Sequence, residues 1–552
     1  MSEAVEVTFL GGLGEVGRNC TVIEVGGKLL LVDFGVMFPD GSMPGVDVIL
    51  PDTSWLRSRA DDVVGLIVTH AHEDHVGGIT YLLREIDVPV YGSPLSIAVA
   101  RHKAAEAGLD RRTTFHPLSD GQRLLIGPFD VEVLPITHSV PQSLCVVIHT
   151  PQGVLVHTGD FKLDASPVDG RVTDCDRLAE LATNEGIRLL MADSTNADVP
   201  GESLSESAIG DTFRRMFPAA NGRRLVVSCF ASHLHRVQQI VDEAIAQGRL
   251  IFPLGRSMVT NIRLARELGV LDLPDRHVRS IDEVAAHPPE RVCVVCTGSQ
   301  GESVAALALL ARGEHADLSL GQGDVVILSS HPIPGNERAV YRVIDELTRR
   351  GCEVVHDGMD VVHTTGHAKR EELRALQRLT RPEWFVPIEG EYRMLERHAG
   401  LAVEEGADPD RVLVALDGDR LVITENGVRL GDRIPAPYHY LDGPIDDLGP
   451  GVLAERRALA AAGFVHVTIV LSGSGVRCAP PAIATRGWVD ADLSAETLAR
   501  LEIEIRDAVD RAVAAGARSA ELERVVRRTT GRYVGTTTQR RPPVSAEVIV
   551  ID

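Results

Sequence analysis

Residues 69–78 read THAHEDHVGG, which puts His70, His72 and His75 with Glu73 and Asp74 inside six positions. Crowding so many imidazoles and carboxylates is unfavourable unless a cation holds them. In an extended segment His70 and His72 project to one side, because side chains alternate. Asp74 and His75 fall at the turn into the next element and can face a second ion. The run before them, VVGLIVTH (63–70), reads as a buried strand, and VGGITYLLREI (76–86) reads as a short helix. One short segment can therefore seed two metal sites.

Two later apolar runs end in matching residue types: ITHS (136–139) supplies His138, and LVHTGDF (155–161) supplies Asp160. An aspartate between two ions can bridge them, neutralising charge and setting their spacing. Asp33 ends LLLVDFG (29–35) and is expected to orient a histidine N–H rather than to bind metal. His157 is expected in the core or behind the ligands.

The remaining chain bounds the reading. With 552 residues, two to four domains are expected. Hydrophobic content of 44% and charged content of 24% suit a soluble globular protein. There is no apolar run long enough to span a membrane. The start, MSEAVEVTFLGG, lacks the features of an export signal, so a cytoplasmic location is expected. The eight cysteines are scattered through apolar runs and read as buried free thiols. Cys293 and Cys296 form a C-x-x-C, but RVCVVCTGS (291–299) reads as a strand that points them to opposite faces. The net charge of −22 repels nucleic acid globally, so an RNA substrate would need local basic patches or metal ions.

Composition and periodicity suggest five segments. Residues 1–204 mix strands, glycine turns and helices, including a VGGK hairpin turn. Residues 205–359 alternate strand and helix, the pattern of a parallel sheet. Residues 360–435 return to the first pattern. Residues 436–455 are rich in Pro, Gly and Asp and read as a linker. Residues 456–552 read as a small α/β domain, two strand-like runs around the amphipathic stretch SAETLARLEIEIRDAVDRAVAAG (494–516).

The ordered series VDFG, THAHEDHVGG, THS and HTGDF resembles the metallo-β-lactamase superfamily. ADSTN (192–196), CFASHLHRVQQI (229–240), TGSQGE (297–302), PIPGNE (332–337) and TGHA (365–368) resemble its nucleic-acid-processing branch, the β-CASP nucleases. With the C-terminal TTTQRRPPVSAEVIVID, the full series is similar to the bacterial ribonuclease J family. The resemblance implies an αββα sandwich, an inserted β-CASP α/β domain and a small C-terminal α/β domain.

It also implies a site. His70, His72 and His138 would hold one divalent ion; Asp74, His75 and position 389 the other, with Asp160 bridging. Here the late motif reads VPIEGEYRM (386–394), and Glu389 stands where the family has histidine. A glutamate oxygen can ligate zinc or manganese, but it adds negative charge and weakens Lewis acidity. Asp74, His367 and Asp193 would be catalytic: His367 near the scissile phosphate or the leaving oxygen, Asp193 orienting a histidine. Gly298 and Ser299 would help form a pocket for a 5′-monophosphate, with Asn336 and Thr365 nearby. His233, Arg236 and Arg256 would be RNA-channel contacts. His331 and Ser303 are departures from the family pattern near the RNA path.

The reaction implied is hydrolysis of single-stranded RNA, 5′→3′ from monophosphorylated ends and endonucleolytically, in rRNA processing and mRNA decay. The cofactors implied are two divalent ions, Zn2+ first, with Mn2+ or Mg2+ as alternatives. The partners implied are a second copy or three more of the chain, and an RNA-degradation complex. The rival reading is a catalytically weakened RNA-binding subunit, because of Glu389. A lactonase-like hydrolase and a DNA-directed enzyme are more distant alternatives.

Overall fold

The computed structural model describes residues 4–302, 304–333, 336–443, 447–490 and 494–551. They make two compact units, one from residues up to 37 and Leu50–Tyr438, the other from Phe38–Ile49 and His439 onward. Ser303, Pro334 and Gly335 of the quoted motifs lie outside the described residues.

In the first unit, an eight-stranded sheet runs in the order Gly427–Leu430, Arg420–Thr424, Val5–Gly11, Cys20–Val25, Lys28–Val32, Val63–Val68, Val90–Gly92, Phe115–Pro117. The hairpin at VGGK closes with Val25 opposite Lys28, and Gly26 and Gly27 both take positive φ (60° and 72°), as a tight primed turn requires. A six-stranded sheet follows the order Trp384–Ile388, Ile187–Asp193, Gly153–His157, Leu144–Thr150, Phe129–Pro135, Arg123–Ile126.

The period of two decides how these sheets stack. Leu30 and Val32 join Val131, Val133, Val146, Leu189 and Met191 in one core between the sheets. Leu29 and Leu31 turn the other way, onto Ile79, Leu82 and Leu83 of the Ile79–Glu85 helix. Leu190 and Ala192 likewise turn outward onto Leu178, Leu373, Leu376 and Leu401 of three helices. The layers are helix, sheet, sheet, helix.

The chain leaves this sandwich to build a parallel five-stranded sheet, order Leu250–Leu254, Val292–Cys296, Leu225–Ser228, Val325–Leu328, Glu353–His356. Cys293 and Cys296 lie in different core clusters on its two faces, and burial pushes both thiols up to about 12. All eight cysteines are free. No helix among the described residues is long and apolar enough to cross a membrane.

The second unit differs from the sequence expectation in three ways. The stretch read as a linker contains a short strand, Tyr438–Leu441, and enters the helix Gly449–Ala462. The end of the chain has a second long helix, Ser519–Thr538, beside Ala495–Ala514, and three strands rather than two. Gly531, Gly535 and a run of threonines hide that helix from propensity, while buried Leu522, Val526, Thr530, Tyr533 and Val534 stabilise it by packing. Finally, Phe38–Ile49 belongs here: Arg456 donates to the Gly45 carbonyl (3.0 Å) and pairs with Asp442 (2.6 Å).

Candidate metal centre

The strands of both sheets deliver polar residues at their ends. Asp33 follows Lys28–Val32, His70 and His72 follow Val63–Val68, His138 follows Phe129–Pro135, and Asp160 follows Gly153–His157. Parallel neighbours place Asp193 opposite Ile388, just before Glu389.

The loop 69–75 is held from behind by backbone bonds. Asn19 N–H donates to Asp74 O (3.0 Å), Phe34 N–H to His75 O (2.9 Å), Val36 N–H to Glu73 O (3.0 Å), and Gly35 N–H to Asn19 O (3.0 Å). Asp33 takes a left-handed backbone (φ 62°), rare for a residue with a side chain. Its carboxylate accepts from Thr69 N–H (2.7 Å), from the Thr69 hydroxyl (2.7 Å) and from His75 Nδ1–H (2.8 Å). Asp33 thus orients His75.

Gly35 is obligatory here, because a Cβ on it would sit 1.5 Å from Asp74 O. Gly35→Ala must push the Asp74–His75 turn away. We expect a loss of about 1–3 kcal/mol in stability, typical of overpacking, and loss of one divalent ion per chain. Thermal melts and metal analysis of the purified variant check both; unchanged metal content would show that the turn is not where an ion is held.

In the first donor set, three imidazoles converge. His70 Nε2 is 3.0 Å from His72 Nδ1, and His138 Nε2 is 3.2 Å from it. Asp160 Oδ2 lies 3.5 Å from His70 Nε2 and 3.7 Å from His138 Nε2. His138 donates Nδ1–H to Gly366 O (2.7 Å), which leaves Nε2 with its lone pair inward. Burial lowers the His72 ring to about 3 and holds His70 and His138 well below the usual histidine range. These are neutral nitrogens turned toward one point. Four donors at about 2.0–2.1 Å from a tetrahedral ion stand about 3.3 Å apart, so the set fits a divalent cation such as zinc.

In the second set, His75 Nε2 lies 3.2 Å from Asp160 Oδ1 and 3.7 Å from Asp74 Oδ2. Burial works against a charged His75 ring, but Asp160, Asp33 and Asp74 raise it well above its usual value. Glu389 is buried, takes a left-handed backbone (φ 56°) and shares a hydrogen bond with Asp160. Burial and the Asp160 charge push its carboxyl well above the usual range. Asp74 and Asp160 beside the His75 imidazole fit a divalent cation by charge and by donor type, whereas Glu389 groups with Asp33 and His75.

His367 stands at the rim. Its Nδ1–H donates to Asp193 (2.8 Å), and its Nε2 is 3.8 Å from Asp160 Oδ2. Burial lowers its basicity, but Asp193 and Asp160 raise it to about 9. Asn196 Nδ2 donates to Thr365 Oγ1 (2.8 Å) and to the His367 carbonyl (3.2 Å). Thr365 therefore braces the loop that carries His367.

Other expected contacts sit elsewhere. Arg236 is fully buried; it grips Glu206 through Nε (2.6 Å) and Nη2 (3.0 Å), and donates to the Val362 carbonyl (2.8 Å) and to Ser329. His233 is also buried, 3.3 Å from Glu206. Neither presents surface to an RNA strand, so both channel assignments are corrected: a buried guanidinium needs a buried carboxylate, and Glu206 provides it. Arg256 is exposed at the first turn of the Arg256–Glu267 helix. Gly298 takes φ 102° with Ala305 and Leu307 against it, Ser299 is buried, and half-buried Asn336 starts the Glu337–Arg349 helix. His331 is exposed and pairs with Asp357 (2.5 Å).

Sequence reasoning missed Asn19, Thr69, Gly35 and Glu206. The clustered glycines in GGLGEVGRN (11–19) were the one local hint. That segment packs against the strand Gly390–Glu391 beside Glu389.

Family models match the chain in four places. One described as Metallo-beta-lactamase superfamily matches residues 13–199; Ribonuclease J, beta-CASP domain matches 222–347. Zn-dependent metallo-hydrolase RNA specificity domain matches 353–414, and Ribonuclease J C-terminal domain matches 451–551. Ribonuclease J of Mycolicibacterium smegmatis is 41% identical over 551 residues, 99% of this chain and 97% of that protein. Ribonuclease J 1 of Streptococcus pyogenes is 38% identical over 487 residues, 88% of this chain and 86% of that protein. A solved structure of a protein of unknown function from Enterococcus faecalis shares the fold, with TM-score 0.53 at 16% identity, over 76% of this chain and 100% of that one.

Proposed function

The chain belongs to the ribonuclease J family, with a metallo-β-lactamase domain, a β-CASP domain and a family C-terminal domain, and from that premise we propose that it hydrolyses single-stranded RNA with two divalent ions. It acts 5′→3′ from monophosphorylated ends and also endonucleolytically, in cytoplasmic RNA processing and decay. Zn2+ is the first choice of ion, Mn2+ and Mg2+ the alternatives.

The observation that carries this reading is Asp160. Its Oδ2 faces His70 and His138, and its Oδ1 faces His75, so one carboxylate addresses both donor sets. When bound, two such ions supply an acidified water and offset charge on a phosphodiester. That also answers the −22 net charge, since the cations bring positive charge to the one place an RNA phosphate must enter. The chain supplies the rest. Against burial, Asp193 and Asp160 raise His367 to about 9, and its Nε2 faces the centre, placed to donate a proton to the leaving oxygen or a hydrogen bond to the phosphate. In this reading residues 205–359 are an inserted RNA-handling domain, in which Gly298, Ser299 and Asn336 meet the 5′ end and exposed Arg256 contacts the RNA along its channel. The assembly is a homodimer or homotetramer able to join an RNA-degradation complex.

Glu389 favours a second reading, a weakened subunit. The test is one preparation with 5′-monophosphorylated RNA and Zn2+, Mn2+ or Mg2+. Metal-dependent cleavage is expected, and its absence with all three ions sinks the enzyme reading. In parallel, Glu389→His is expected to shift the preferred ion toward Zn2+ with less than about a tenfold change in best rate. A gain nearer a hundredfold would mark Glu389 as an impairing residue and favour the weakened subunit.

A further inference from the structure

Asn19 stands against the second donor set. It is 6% exposed, and its backbone is pinned to Asp74 and Gly35 by two 3.0 Å hydrogen bonds. Its Nδ2 lies 2.9 Å from His75 Nε2, while its Oδ1 is buried with no partner. Oδ1 faces Gly12, at the edge of a cavity of about 10 Å³ that Asp33, His157 and Glu389 also line. Glu389 Oε2 is the other buried oxygen there with no partner.

These facts conflict with a cation on His75. Because His75 gives its Nδ1–H to Asp33, the lone pair for a metal is on Nε2. An N–H donated to that lone pair and a cation on it exclude each other. A half-turn of the carboxamide exchanges O and N without changing shape. It puts Oδ1 about 2.9 Å from Nε2, close to the roughly 3.0 Å between neighbouring ligands of an octahedral ion with bonds of about 2.1 Å. The same turn carries Nδ2 toward Gly12 at the cavity edge, and a cation held by Nε2 then partners the otherwise orphaned Oδ1.

We propose that Asn19 is a ligand, through Oδ1, of the ion held by Asp74, His75 and Asp160. This rests on the two-ion reading above. The site so built offers oxygen from Asp74, Asp160 and Asn19 against one imidazole, and takes a hard divalent cation of the Mn2+ or Mg2+ kind. The first site, with three imidazoles, keeps its zinc character. The two positions therefore differ in the ion they select.

The test is equilibrium dialysis of the chelator-stripped full chain against stepped Mn2+, with ions per chain read by plasma mass spectrometry. Wild type is expected to bind two. Asn19→Ala should keep one ion at unchanged affinity and bind the other roughly 10–100-fold more weakly. Asn19→Asp retains an oxygen but loses the N–H, and should bind the second ion at least as tightly as wild type. Full two-ion affinity in Asn19→Ala overturns the proposal. So does loss of the second ion in Asn19→Asp, which would make the N–H the important group; this arm decides alone if Asn19→Ala does not fold. Wild type binding a single ion would instead overturn the two-ion reading, and this inference with it.

Discussion

Asp160→Asn is expected to strip the centre of both ions at stoichiometric metal. It should lower RNA cleavage by at least the roughly 10²–10³ that removal of one transition-state-stabilising group costs. The reason is geometric and electrostatic together. Oδ2 faces His70 and His138 at 3.5 and 3.7 Å, while Oδ1 faces His75 at 3.2 Å. An amide has one oxygen and no charge, so one face must meet an N–H2. Burial works against the charge on Asp160, yet His75 and His367 hold it well below the usual carboxylate range, so the wild-type group is ionised. Metal analysis beside a labelled-RNA cleavage assay reads both effects. A variant that keeps two ions would show that Asp160 does not bridge.

Arg236→Met should act on stability rather than on RNA. It leaves Glu206 buried without its guanidinium, a change that costs about 3–5 kcal/mol when one partner of a buried pair is removed. The double variant Glu206→Gln with Arg236→Met should recover part of that loss, because no uncompensated charge remains. Denaturant melts measure the difference. If stability held and only RNA affinity fell, the buried assignment of Arg236 would be wrong. The pair also has a pH signature. Burial raises the Glu206 carboxyl, but Arg236 and His233 bring it well below its unfolded value. Its contribution is therefore complete above an unfolded glutamate pKa of about 4.3 and is lost as pH falls through the lower folded value. Melts of wild type should show this acid loss, and melts of the double variant should show less of it.

The two results bear on how much was legible beforehand. THAHEDHVGG, His138 and Asp160 carry their chemistry in short windows, because ligand-type residues at the ends of apolar strands have few other uses. The structure brings them together. The opposite faces of Cys293 and Cys296 followed from strand alternation alone. Arg236 was assigned to an RNA channel from the resemblance, and nothing in its own window shows that it is buried. Its partner Glu206 lies thirty residues away, where no periodicity announces a buried charge. Asn19 was invisible for a similar reason: asparagine among glycines reads as turn chemistry.

By itself, then, the sequence determined the layered α/β class, the ligand types and their order along the chain, since these rest on local patterning and on residue chemistry. Tertiary structure alone decided which oxygen of Asp160 meets which histidines, that Gly35 leaves room for Asp74, that Arg236 is spent on Glu206, and that Asn19 stands against His75. Each is a contact between segments remote in sequence. Such contacts are set by how two sheets and their end loops pack, which no single window of sequence encodes.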